Sequence, residues 1–193
     1  MELVFEEEKT FDKSDFTESN LAKGEYNLCK FSGCNFSNSD LKDIKFYECE
    51  FINCNLSLAK LTNTIFRDVQ FKDCKMLGLP FDNCNEFGLT VGFENCNLNH
   101  SSFYRKRMAK TIFRNSQLVE VDFTDCDLSQ ALFANCNLSD AKFENTNLEK
   151  ADLRLAHHYS INPAFNKIKK ARFSLTGVVG LLNQYDIEID MTN

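Results

Sequence analysis

The sequence contains no tryptophan, two prolines and seven glycines in 193 residues. So few Pro and Gly exclude a loop-rich or disordered chain, which both would punctuate. No apolar run approaches the roughly 18 residues a membrane span needs. The acidic start, Met1 to Glu8, lacks the basic flank and apolar core of a signal peptide. A cytoplasmic protein without a membrane partner is expected, in which the nine cysteines stay reduced. Cations are in the minority, 22 Lys and Arg against 28 Asp and Glu, for a net charge of −6. Direct nucleic-acid binding, which relies on clustered Lys and Arg, is therefore not expected.

What the chain has in excess is phenylalanine, 19 residues of it, set on a period of five. Every fifth residue from Phe11 through Phe81 is large and apolar. After a slip of two residues the series resumes at Phe93 and runs to Leu153 without a polar exception. The residue two before each of these centres is mostly Ala, Cys, Ser, Thr or Gly. The exceptions are Lys9, Ile44, Val69, Leu79, Val91, Lys106 and Val121. All nine cysteines fall in this small-residue register, Cys84 only if the first register is extended one step.

Neither regular backbone obeys such a rule. On an α-helix a step of five rotates about 140°, so the apolar residues would spiral around the axis. On a strand an odd step alternates faces. The chain must instead turn once per repeat, returning one large and one small residue to the inside of a continuous coil. Stacked coils then pair backbone to backbone about 4.8 Å apart.

The repeats Ala131-Leu132-Phe133-Ala134-Asn135, Cys136-Asn137-Leu138-Ser139-Asp140, Ala141-Lys142-Phe143-Glu144-Asn145 and Ala151-Asp152-Leu153-Arg154-Leu155 resemble the A(D/N)LXX motif of the pentapeptide repeat family. The resemblance implies an all-β fold, a right-handed quadrilateral β-helix with four repeats per coil and about seven coils. At about 4.8 Å per coil that is a rod of roughly 34 Å. Residues 1–155 are assigned to the solenoid, with the register slip near 82–92, and 156–193 to a C-terminal cap. A twenty-residue period fits four repeats per coil: positions 98, 118 and 138 are all Leu, and 103, 123 and 143 all Phe.

The end of the chain, with Ile161-Asn162-Pro163, Asn166-Lys167-Ile168 and Gly180-Leu181-Leu182, resembles the cap of the microcin B17 immunity and Qnr quinolone-resistance proteins. Ser174 is a plausible N-cap, and Leu175, Val178, Val179 and Leu182 fall on one stripe of a helix. Leu181 and Tyr185 widen the stripe, and Ile187 and Ile189 alternate with acids as in a short edge strand. The reading is a capping α-helix. The resemblance implies that Leu175, Val178, Val179, Leu182, Tyr185, Ile187 and Ile189 pair two copies in a homodimer.

The same resemblance implies DNA gyrase or topoisomerase IV as partner. A DNA-like acidic rod would protect the enzyme from microcin-type peptides or quinolones. Eight acids in outward places of the repeat are the candidate contact surface: Glu120, Asp122, Asp125, Asp127, Asp140, Glu144, Glu149 and Asp152. A 34 Å rod matches about ten base pairs, and a dimer about twenty. The slip, with Glu86, Phe87 and Gly88, reads as a projecting bulge. The alternative is a scaffold or binding module for another protein, since fold does not fix function. No enzyme, cofactor or metal is expected. The cysteines lack Cys-x-x-Cys spacing, the His157-His158 pair reads as part of the cap, and the Arg105–Lys110 cluster as a solvated face.

Overall fold

A computed structural model describes residues 3–190; Met1 and Glu2 of the acidic start, and residues 191–193 of the assigned cap, lie outside the described residues. The chain is a parallel β-solenoid of about seven turns. Each coil has four walls, named here by their central residues. Wall 1 runs through Phe11, Phe31, Phe51, Phe71, Phe93, Phe113, Phe133 and Leu153. Wall 2 starts at Phe16, wall 3 at Leu21 and wall 4 at Tyr26, each returning after 20 residues.

Every strand pair is parallel. Wall 4 stacks Val4–Glu7, Gly24–Asn27, Lys45–Tyr47 and the start of Ile65–Lys72. Wall 1 stacks Thr10–Asp12, Lys30–Ser32, Glu50–Ile52 and the end of Ile65–Lys72, then Leu89–Glu94, Ile112–Arg114 and Leu132–Ala134. The remaining walls are joined by single bridges. The ladder continues beyond residue 155, through Asn137↔His157, Asn147↔Lys167 and Asp152↔Arg172.

Three local devices make the coil. The first is a left-handed residue at most corners, two places after the centre. Asn38, Asp43, Asn53, Asn63, Asp73, Asn95, Asn115, Asp125, Asn135 and Asn145 all have φ between 50° and 61°. Asn and Asp tolerate this conformation best among residues with a side chain. The second is an Asx turn before the centre, which explains the Asp or Asn of the motif. Asn35, Asn55, Asn97, Asp122, Asp127, Asn137, Asn147 and Asp152 each accept the N–H two residues on, at 2.9–3.2 Å.

The third device concerns the small inward residue. Cys49, Cys54, Cys74 and Cys126 donate their thiols to the carbonyl oxygens of Tyr26, Phe31, Phe51 and Phe103 in the coil below. Thr64 and Thr146 do the same through hydroxyls. The cysteines therefore do more than occupy little space: they also bond adjacent coils. All nine are free and buried.

The centres point inward as the period requires. All are buried except Phe11 and Phe16, which are half-buried in the first coil. Rings stack face to face along a wall, as in Phe113 on Phe133 at 4.9 Å and 4°. Columns on different walls meet edge to face, as in Phe103 and Phe113 at 6.2 Å and 81°. Such pairs add about 0.5–1.5 kcal/mol beyond burial.

One expectation fails. No α-helix occurs among the described residues; the cap is two 3-10 turns, Gly177–Leu181 and Asn183–Tyr185. Ser174 Oγ does accept the Gly177 N–H at 3.0 Å, as a capping serine would. The Gly180 carbonyl, however, is taken by the Ile161 N–H at 2.9 Å, and the following turns close on i→i+3 bonds. A side chain at Gly180 would collide with the Tyr159 backbone and ring, so the cap lies too close to the last coil for a regular helix bearing Cβ atoms. Two glycines in a segment this short also make an α-helix marginal. Ile187 and Ile189 lie in no strand.

Candidate interaction surfaces

The register assigns each of the eight acids to a wall. Asp122, Asp125 and Glu144 lie on wall 3, and Glu120 and Asp140 stack at the corner leading into it. Asp127 and Glu149 lie on wall 4, and Asp152 on wall 1. The acids are thus spread over the rod but concentrated around wall 3 of the last coils. All eight are at least partly exposed.

Their charges are not equally available. Asp152 takes a bidentate contact from Arg154, with Nη2 at 2.6 Å and Nε at 3.0 and 3.2 Å, and Arg172 stands at 3.9 Å. Hydrogen bonding from Arg154 holds its carboxyl below the usual range. Arg105 Nε donates to Asp125 at 3.3 Å, and His100 approaches Glu120 at 3.3 Å. Asp122 accepts the Thr124 N–H and Asp127 the Ser129 N–H, so both serve the coil as well as the surface. Asp140, Glu144 and Glu149 have no side-chain hydrogen bond or ion pair among the described residues.

Of the basic cluster, Arg105, Arg107 and Lys110 are exposed and Lys106 is buried. Arg105 is paired with Asp125 and lies over the Tyr104 ring at 4.7 Å. Lys106 occupies a small-residue place and points inward, where Nζ donates to the Cys84 carbonyl at 2.8 Å.

At the slip, the coil from wall 1 to wall 1 spans 22 residues, pairing Phe71 with Phe93. Phe87 stands 75% exposed, its N–H held by Asn85 Oδ1 at 3.1 Å. Glu86 is exposed beside it, but Gly88 is buried, and a Cβ there would meet the Ile65 side chain. Leu89 was missed by the five-residue count: it sits on wall 4, paired with Phe66 and buried. Its signal was an apolar residue inside the slip.

At the other end, Leu175, Val178, Val179, Leu182 and Ile189 line one groove of about 370 Å³. Leu175 is 90% exposed, and Tyr185 and Ile187 are exposed outside the groove. The four-residue apolar stripe is thus gathered on one side without an α-helix. Leu181 turns inward onto the core instead of widening it. Among the described residues no helix is long and apolar enough to cross a membrane, and no cluster of three or more His, Cys, Asp or Glu could hold a metal.

These coils define a class: stacked five-residue repeats read out as a four-walled parallel solenoid. Residues 25–87 and 87–173 match the pentapeptide repeat region, and the chain belongs to the pentapeptide repeat family. Among solved structures it is similar to a trypsin-treated form of QnrB1, a plasmid-mediated fluoroquinolone resistance protein. The two share 20% identity over 96% of this chain and 91% of that one, with a TM-score of 0.64. It is also similar to HetL, involved in heterocyst differentiation regulation in the cyanobacterium Nostoc sp. strain PCC 7120. There the identity is 14%, the coverage 88% and 85%, and the TM-score 0.70. No curated protein matches the chain.

Proposed function

We propose that this protein is a non-enzymatic DNA mimic that binds a type II topoisomerase, DNA gyrase or topoisomerase IV, and protects it from poisons such as microcin-type peptides or quinolones. The observation that carries the reading is the acid-rich wall 3 and its leading corner, where Asp122, Asp125, Glu144, Glu120 and Asp140 follow the regular coil spacing. Repeating carboxylates on a rigid rod offer a basic DNA-binding surface the charge pattern it normally meets, and speed association. The likeness of fold to QnrB1, whose name states fluoroquinolone resistance, agrees with it. The groove with Leu175, Val178 and Leu182 would join two copies in the cytoplasm, the remaining apolar residues Tyr185 and Ile187 flanking it.

The test is a gyrase assay with and without this protein. Protection predicts less poison-stabilised DNA cleavage and altered supercoiling; no change in either activity, with folded protein present, counts against it. A second reading, a scaffold for a different protein, is favoured by the neutralisation of Asp125 and Asp152 and by the equally good fit to HetL. Under that reading Phe87, exposed on its bulge, is the better contact residue.

A further inference from the structure

Wall 1 carries an outer face that the other walls lack. Past the bulge, the outward residue just before each centre is polar throughout walls 2, 3 and 4. On wall 1 it is Gly92, Ile112 and Leu132, with Ala134 beside Leu132. Ile112 is 46% exposed, and Leu155 on the next coil 55%. Between Leu132 and Leu155 opens a hollow of about 450 Å³, floored by Phe133 and Ala134. Past the bulge this is also the wall built of paired strands, so its apolar residues stand on a continuous ladder. Such a patch, rimmed by charge, marks a contact surface.

The order of its rows says which partner fits. The outward residues before the centres read Gln70, Gly92, Ile112, Leu132, Asp152 and Arg172, joined in that order by backbone pairing. Let a second copy be laid on this face with its rod axis reversed, about a two-fold between Ile112 and Leu132. Ile112 then meets Leu132 of the other copy. The row of Gly92 and Glu94 meets that of Lys150 and Arg154, and Asp68 meets Lys170. Each contact occurs twice, and no like charges stand directly opposite. Asp68, Glu94, Lys150 and Lys170 form no ion pair within the chain among the described residues. With the rod axes parallel, Ile112 would instead face Arg114, and the apolar pair would be lost.

We propose that wall 1 of these six coils is a self-complementary interface that pairs two copies face to face with antiparallel rod axes. One wall is narrower than a standard interface, so the pairing belongs to the weak, reversible class. The exposed charges set the register more than the affinity. Acidic wall 3 lies on the opposite side of the coil and stays open. The inference therefore rests neither on the topoisomerase reading nor on the cap groove.

The test is sedimentation equilibrium of the full-length chain carrying Leu175→Glu, which removes the cap groove as a second contact. The interface predicts a reversible dimer in the micromolar to high-micromolar range. Adding Leu132→Glu should weaken it about tenfold or more at an unchanged melting temperature, because the side chain faces outward. Ile112→Glu on the neighbouring strand gives a second reading should the first variant melt lower. Asp68→Lys and Lys170→Asp should each weaken the dimer about threefold, and the two together in one chain should restore it. A Leu175→Glu chain that stays monomeric at every concentration would overturn the interface, as would a dimer indifferent to both glutamate substitutions. A double charge swap that associates no better than either single variant would overturn the antiparallel register.

Discussion

The rod before the bulge and the rod after it solve the same packing problem differently. Up to Phe71 the aromatic columns occupy adjacent walls 4 and 1, joined on wall 2 by Phe16 stacked on Phe36, so rings such as Phe46 and Phe51 meet around a corner at 5.2 Å and 75°. From Phe81 onward the second aromatic column moves to wall 3, opposite wall 1, and Phe103 reaches across to Phe93 at 6.0 Å and 72°. Leu or Met takes over wall 4, at Leu89, Met108, Leu128 and Leu148. The changeover coincides with the insertion at 82–92. The corner geometry and the coil-to-coil hydrogen bonds are the same on both sides. The backbone devices therefore set the coil, while the core filler is exchangeable between walls so long as volume is kept. Wall 3 is joined by single bridges whether Leu41 or Phe123 is its centre, whereas wall 4 changes from strands at Tyr26, Phe46 and Phe66 to single bridges at Met108, Leu128 and Leu148.

The largest expected effect comes from opening a cavity in either half. Phe51→Ala and Phe113→Ala should each cost about 3–5 kcal/mol in urea unfolding. A much smaller loss in one half would mean that its core can collapse where the other cannot. The bulge comes next. Lys106→Ala removes the donor to the Cys84 carbonyl and leaves a void, and should cost about 1–3 kcal/mol, with faster amide exchange confined to 82–88. Lys106→Met, which keeps the volume, should restore part of the stability but not the protection of the bulge.

The asparagine ladder that crosses the changeover is a smaller term. Asn95 donates to Asp73, Asn115 to Asn95 and Asn135 to Asn115, at 2.9–3.1 Å. Asn115→Ala loses the ladder and strains a left-handed corner, for about 1–2 kcal/mol. Asn115→Gly loses only the ladder and should cost less; equal costs would deny the corner its share.

The last effect is small at about pH 9 and grows with alkalinity. Burial pushes the Cys49 and Cys84 thiols up to about 12, above their unfolded value near 8.5. Between those limits the folded protein holds more protons, so stability is full below about pH 8.5 and declines as pH rises toward 12. Cys49→Ala should flatten that decline in a pH series of melting temperatures.

The solenoid was legible because its determinant is local and repeated: every Phe or Leu centre sits in the same backbone environment. The Asp and Asn places were visible as a motif, though their work as Asx turns and left-handed corners was not, because neither changes the hydropathy period. Leu89 escaped because the insertion breaks the count. The cap was misread for a physical reason. The stripe through Leu175, Val178, Val179 and Leu182 is genuine, but Tyr159, eighteen residues before Gly177, decides how closely the segment must lie. The acids were correctly outward, but which of them keep a free charge depends on Arg105, Arg154 and Arg172 across coils.

The most direct test of the central claim measures gyrase binding to immobilised protein at low salt, with duplex DNA as competitor. DNA mimicry predicts that gyrase is retained, that duplex DNA displaces it, and that Asp140→Lys with Glu144→Lys lowers its retention at least tenfold while the fold is unchanged. Retention that ignores both the DNA and the charge reversal, or no retention of either topoisomerase, would contradict it.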